Sequence, residues 1–418
     1  MAANTAFISA KTTQTWLSQF DAADQESVVK MLRAMRLVSR DEFADSVRER
    51  LLQAAEVTNG RIGLYVEREM PPKNAPPDPL FQQSAERPRR AFGQGPSPIE
   101  PGADKPGDVG SEGLVAQLVS ELCREFPKKF VSHPGPDQLR TRKRPIRRLI
   151  LVTDLIGSGN RAVRYLDAAW SVFSLKSWWS GRGTNGMAFD VVAYAATPAG
   201  KAFVETHRLT PIVRIVAECP TIDNALTDDT AAEVKQVCIK YNPIPRTADA
   251  LGYGGTGALI AFAHGAPNNC PRVLHASDQS WAPLFAKRVT ASSRATFSSP
   301  LNQIDVQERL ETMRHKRLWG SVDWSHAPEG ALETYLVLAA LSRPPRTVEI
   351  VARRTGLTQL ETEKVMRKAV ENSWVDSQKR LTEQGQTQLR AAKTGCRTAP
   401  SLNNGVNLYY PSTLRAPV

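Results

Sequence analysis

The stretch LILVTDLIGSGNR, residues 149–161, decides the fold. Leu149 to Val152 are four apolar residues that end at Thr153 and Asp154, the pattern of a buried strand closing on a carboxylate. Gly157-Ser158-Gly159-Asn160-Arg161 is a small-residue turn. It runs straight into a helical pattern in which Ala162, Val163, Leu166, Ala169, Trp170 and Phe173 recur. Downstream, FDVVAYAAT from 189 and PIVRIVAEC from 211 are apolar runs of strand length with a short helical segment between them. Upstream, GRIGLYVEREM (60–70) and FVSHP (130–134) also read as strands, and SEGLVAQLVSELCREF (111–126) reads as a helix with Ser111 as its N-cap. Strands alternating with helices predict a parallel sheet covered on both faces.

In such a sheet, ligands sit beyond the carboxyl ends of the strands, where Asp154 falls. Gly157 and Gly159 allow a tight turn and close approach of backbone to ligand. The amides of residues 157–161 open a helix, whose positive end favours a phosphate, and Ser158 and Arg161 add polar and charged donors. A carboxylate beside a phosphate cradle suits ribose hydroxyls, so the stretch predicts recognition of a ribose 5-phosphate. It resembles the phosphoribosyltransferase signature: four apolar residues, two acids, two further residues and a phosphate loop. The resemblance implies that Asp154 holds the ribose hydroxyls and acts in catalysis, and that Gly157, Ser158, Gly159, Asn160 and Arg161 bind the 5-phosphate. Thr153 stands where the family has its first acid, and Arg161 where it has a threonine. The resemblance further implies phosphoribosyl pyrophosphate or a related nucleotide as ligand, with Mg²⁺ as its companion. No metal-ligand spacing is found among the six histidines. GDVGSEG (107–113) is the candidate pyrophosphate loop, or alternatively a glycine-rich lead-in to an N-cap.

A literal G-x-G-x-x-G occurs in LGYGGTGALIAF at Gly252, Gly254 and Gly257, with Asp278 further on. The dinucleotide fingerprint needs a strand leading into the first glycine. YNPIPRTADA precedes it instead, so a flexible loop near the nucleotide crevice is expected, with PNN and SDQSWAPLF as its cap.

The 418 residues predict two or three units, and 41% hydrophobic residues provide a sizeable core. No apolar run has the length of a membrane span, and the first residues carry no secretory signal. Five cysteines without a C-x-x-C pair argue against a zinc ribbon or disulfide scaffold and fit a reducing cytoplasm. The formal charge of +12 suits a polyanionic partner. QLRTRKRPIRR (138–148) holds six cations and no acid, a pattern that a solvated connector also explains.

The domain expectation is an N-terminal helical region (1–58), a phosphoribosyltransferase-like domain (59–295), a helical connector (296–329), a winged helix-turn-helix (330–395) and a tail (396–418). In the fourth segment, GALETYLVLAALS and TVEIVARRTG are helices, and a third opens with a Thr358/Glu361 capping box. Trp374 and Val375 begin a strand, DSQKR turns, and LTEQGQTQL is expected to return as a second strand. The DNA reading places the third helix in a major groove, with Arg353, Arg354, Lys364, Arg367, Lys368, Lys379 and Arg380 as nucleic-acid contacts. Glu361, Glu363 and Glu371 on the same helix favour the alternative, a protein contact.

Taken with WLSQFDAADQ, RLVSRDEF and GYGGTGALIAFAHGAPNNCP, these features resemble the phosphoribosyltransferase-like proteins with a C-terminal winged helix found in bacterial conflict systems. The resemblance extends to the effectors of one class of retrons. It implies a toxin of antiphage defence, partnered by a reverse transcriptase and its RNA-linked DNA; a homo-oligomer is compatible with it. As an enzyme, the chain would transfer a glycosyl group or hydrolyse a nucleotide. The competing expectation is a non-catalytic, ribose-phosphate-sensing DNA-binding regulator.

Overall fold

The structure is a computed structural model that describes residues 5–71, 75–97, 111–141, 143–244, 249–285, 303–321, 324 and 330–393. The chain forms two compact units, Met1–Pro300 and Leu301–Val418. Residues 107–110 of the expected pyrophosphate loop and the expected tail lie outside the described residues.

The strands described in the first unit are β1 (Arg36–Val38), β2 (Arg61–Val66), β3 (Gln82–Gln83), β4 (Ala91–Phe92), β5 (Phe130–Ser132), β6 (Ile146–Ile156), β7 (Ala188–Ala196), β8 (Ile212–Glu218) and β9 (Ile260–Phe262). Five of them form a wholly parallel sheet in the order β5-β2-β6-β7-β8. The α/β fold class expected from the opening stretch is therefore the observed one. β6 lies at the centre of the sheet, and Leu149 to Val152 are all buried. Successive residues face opposite sides. Leu149, Leu151, Val191 and Ala193 pack with Ala162, Tyr165 and Leu166 of the helix Asn160–Trp170. On the other side, Tyr194 meets Phe43 of the helix Arg40–Glu56, ring centroids 6.0 Å apart. Burying one such aromatic contributes roughly 1.5–3 kcal/mol.

The N-terminal segment differs from the all-helical expectation. After the helix Ala22–Ala34 the chain extends as β1, which pairs in parallel with β9, Arg36 opposite Ile260. Ser39 then caps the helix Arg40–Glu56 by accepting from the Glu42 N–H at 3.1 Å. Trp281 of SDQSWAPLF packs edge-on against Trp16 and Phe20, at 6.2 and 5.0 Å, and its indole N–H donates to the Val273 carbonyl. That segment is core packing against the N-terminal helices and not a cap, because two aromatic rings there bury Trp281 to 8% exposure. The first residues and β9 thus share one unit with the parallel sheet.

In the second unit, the helices Gln303–Thr312 and Lys316–Ser321 contribute Val306, Leu310, Met313 and Leu318 to one core with Tyr335, Leu338, Met366 and Trp374. The segment expected as a connector is part of this unit. The three helices of the winged pattern are Ala331–Leu341, Val348–Thr355 and Gln359–Glu371. Gly356, at φ +77°, ends the second, and the Thr358/Glu361 capping box starts the third. The expected returning strand is reduced to one antiparallel bridge, Val375 to Leu381. Thr382 then accepts from the Gly385 N–H and a helix, Glu383–Lys393, follows. Leu389 and Ala392 repeat at helical spacing and are buried, which outweighs a second strand here. Among the described residues, no helix is long and apolar enough to cross a membrane.

Candidate active site at the strand ends

Thr153 does not stand open to a ligand. It is 3% exposed, and its hydroxyl donates to Glu67 Oε2 at 2.7 Å. Glu67 follows the last residue of β2, and Val66 is in register with Val152 of β6. Parallel neighbours end at the same edge of a sheet, so the two strand ends bring Glu67 and Thr153 together. The carboxylate absent at 153 is thereby supplied by the adjacent strand. Asp154 accepts from the Leu155 N–H at 2.7 Å, and its Oδ2 lies 3.2 Å from Nε2 of His264, two residues beyond β9. The His264 ring stacks on Phe262 at 4.9 Å and meets Phe43 edge-on at 5.4 Å, which fixes its plane.

Arg161, in the first turn of its helix, reaches back between the carboxylates, 3.6 Å from Glu67 and 3.7 Å from Glu112. Its side chain remains 44% exposed, so the guanidinium faces both the acids and solvent. Burial pushes the Glu67 carboxyl up to about 7; Arg161 and the Thr153 hydroxyl oppose this, while Asp154 and Glu112 add to it. Glu112 is raised too, mainly by partial burial. Burial disfavours the charged Arg161, but Glu67, Asp154 and Glu112 more than offset it and hold its pKa above the ordinary value. Glu67 therefore carries a proton that it can exchange near neutral pH.

The phosphate-loop residues are where the sequence places them. Gly159 has φ +79° and precedes the helix Asn160–Trp170. Thr197 caps the helix Pro198–Glu205, and its hydroxyl also donates to the Gly157 carbonyl at 2.7 Å. A Cβ on Gly157 would lie 2.2 Å from the Asn269 side chain, and one on Gly200 would lie 2.1 Å from the Gly157 oxygen. Asn269 in turn donates to the Tyr253 carbonyl and to Thr256 Oγ1. The 252–257 turn thus lies against the phosphate loop, with Asn160 Nδ2 3.5 Å from Tyr253 Oη. Gly252, Gly254, Gly255 and Gly257 all have positive φ and form a turn without a leading strand, as expected of a loop near the crevice. Ser158 accepts from the Asn160 N–H at 3.4 Å, and Asn160 is exposed.

Sequence reasoning missed Glu67, Glu112 and His264. Glu67 closes the apolar run GRIGLYV, and His264 closes LIAFA; an ionisable residue ending an apolar run was the available signal. Among the described residues, no group of three or more His, Cys, Asp or Glu side chains is arranged to hold a metal ion.

On the winged-helix unit, Lys364, Arg367 and Lys368 are exposed on the third helix, and Lys379 and Arg380 are exposed in the turn after Val375. Arg354 is placed differently. Its guanidinium donates to the carbonyls of Ala340, Arg343, Pro344 and Pro345 at 2.8–3.2 Å, tying its helix to the preceding turn. Arg353 is exposed, and its carbonyl accepts from Arg309.

A parallel sheet with a strand-end carboxylate site and a glycine loop, joined in one chain to a winged helix, defines a phosphoribosyltransferase-like protein with a C-terminal winged helix-turn-helix. The PRTase-CE family model matches residues 13–287, and a model described as wHTH-PRTase associated matches residues 335–416. The first spans well over half of the chain, which belongs to the PRTase-CE family. No curated protein matches it.

Proposed function

We propose that this chain is an effector enzyme of a retron-type antiphage system that acts on a ribose-phosphate nucleotide. The observation carrying this reading is the Glu67–Thr153–Asp154 arrangement, which supplies two carboxylates beside the phosphate loop although the signature has one. The loop 157–161 holds the 5-phosphate, and Asp154, oriented by His264, faces the ribose. Glycosyl transfer or hydrolysis at the anomeric carbon builds positive charge on the ribose, which a fixed carboxylate stabilises. Glu67, with its proton exchangeable near neutral pH, takes or gives a proton to the ribose hydroxyls or the attacking group. Mg²⁺ commonly binds through one or two carboxylates plus substrate phosphates, so in this proposal it enters with a pyrophosphate ligand and not in a protein cage. The exposed cations Lys364, Arg367, Lys368, Lys379 and Arg380 support contact of the winged helix with the retron's RNA-linked DNA or its reverse transcriptase.

Expression of wild type, Asp154→Asn and Glu67→Gln, followed by growth curves and nucleotide pools, tests the reading. Wild type is expected to arrest growth and deplete a nucleotide pool, and both variants to relieve this. Unchanged pools together with ribose-phosphate-dependent DNA binding would sink the enzyme in favour of a sensing regulator.

A further inference from the structure

The second unit contains a cavity of about 420 Å³ with three arginines in its lining, contributed by three different elements. Arg346 comes from the turn after the helix Ala331–Leu341, Arg380 from the wing turn, and Arg390 from the helix Glu383–Lys393. Leu341 and Leu389 provide apolar walls, and His315 closes one side through a 3.0 Å hydrogen bond to Ser342 Oγ. Among the described residues lining the cavity there is no carboxylate.

These arginines are held in place by neutral partners. Arg346 Nε donates to the Leu341 carbonyl at 2.7 Å, which leaves the terminal nitrogens of the fork directed away from that bond. The Arg380 backbone is fixed from both sides by Asp376, whose carboxylate accepts the Arg380 N–H and whose own N–H donates to the Arg380 carbonyl. Arg390 donates to Gln386 Oε1 at 3.3 Å. Arginine stays charged at any physiological pH, so three converging guanidinium groups repel one another unless an anion lies between them. Guanidinium forks match phosphate oxygens bidentately. A cavity of this size takes a small molecule or the end of a chain, and the middle of a nucleic-acid duplex cannot enter it. The apolar walls suit a flat organic group carrying that phosphate.

We propose that this cavity is a binding site for a phosphate monoester borne on a flat carrier, separate from the strand-end site of the first unit. Two sources supply that chemistry, a free nucleotide and the 5′-phosphorylated end of a nucleic-acid strand. The site links the wing turn to the last helix, so its occupation ties down the segment bearing Lys379 and Arg380.

Titration calorimetry of the full chain with phenyl phosphate tests the proposal, because this probe has no ribose for the first unit to recognise. Binding is expected in wild type and in Asp154→Asn alike, with benzyl alcohol inert. Arg380→Gln, and independently Arg346→Gln, should each weaken it about tenfold or more, the scale of a charge-assisted hydrogen bond. Displacement of phenyl phosphate by AMP assigns the site to a free nucleotide. Displacement by a 5′-phosphorylated oligonucleotide, and not by its 5′-hydroxyl twin, assigns it to a strand end. Absence of phenyl phosphate binding, its insensitivity to both arginine substitutions, or equal displacement by the two oligonucleotides overturns the proposal.

Discussion

The strand-end site and the third helix of the winged helix both gather charge, but they do so under opposite constraints. At the strand ends, Glu67, Glu112, Asp154 and Arg161 come from four separate elements, and Glu67 is only 5% exposed. Charges removed from water must be paired, hydrogen-bonded or neutralised, so each of these groups depends on its neighbours. On the helix Gln359–Glu371, the cations Lys364, Arg367 and Lys368 stand in water beside Glu361 and Glu371. Surface charges there cost little to keep and little to lose. The first arrangement specifies a geometry for chemistry; the second specifies only a field that a polyanion can use.

The sharpest way to break the first region without touching a charge is through its glycines. A Cβ at Gly200 would sit 2.1 Å from the Gly157 carbonyl oxygen, which is backbone and has Thr197 Oγ1 already bonded to it. Gly200→Val should therefore lower stability by about 3 kcal/mol or more, the upper end of overpacking costs. Gly183, which has nothing within 4 Å of its built Cβ, is the control, and Gly183→Ala should change stability by less than about 0.5 kcal/mol. Denaturant midpoints of the two variants check the contrast. Equal effects would mean that the phosphate loop is not clamped as described.

Glu67 sharpens the comparison through pH. Its folded-state pKa is raised from the ordinary 4.5 to about 7, so between these values the folded chain binds more protons than the unfolded one. Its contribution to stability is therefore fully present below about pH 4.5, declines as pH rises to about 7, and is flat above that. Glu67→Gln cannot ionise and should remove this decline, making the variant relatively more stable at pH 8 than at pH 5 by about 1–3 kcal/mol. Midpoints of urea unfolding at the two pH values measure the difference. An identical pH slope in wild type and variant would show that Glu67 is ordinarily ionised in the folded chain.

The strand, loop and helix of LILVTDLIGSGNR were legible because apolar runs and glycine spacing are local signals. The alternation of strands and helices likewise pointed to a parallel sheet. Glu67 and His264 were not legible, because their partners lie 86 and 110 residues away along the chain. Which strands become neighbours is set by packing of the whole sheet, and no local period encodes it. Without that order, Thr153 reads as a lost acid; with it, Thr153 is the donor that holds the replacement. The pairing of β1 with β9 was hidden for a related reason. Three residues between two helices are too few to display a period of two, and only the partner strand stabilises them. The extra helix Glu383–Lys393 was mistaken for a strand because a wing was expected to return in kind.

The smallest effects divide the winged helix itself. Arg354 was grouped with the nucleic-acid contacts, yet its guanidinium is bound to four carbonyls of the helix end and turn that precede it. Arg354→Met removes the donors while keeping much of the length, so it should cost about 1–2 kcal/mol of stability. Where the variant remains folded, its affinity for DNA should be unchanged. Arg367→Gln with Lys368→Gln should do the reverse. Both side chains are exposed, and their loss should alter stability by no more than about 0.5 kcal/mol. If this face meets phosphates, the slope of log affinity against log salt should fall by about one for each contact removed. Denaturation paired with a salt series of DNA-binding curves reads both quantities on the same preparations. A double variant with an unaltered salt slope would assign this helix to a protein contact, and would leave the wing turn, with Lys379 and Arg380, as the remaining candidate for nucleic acid.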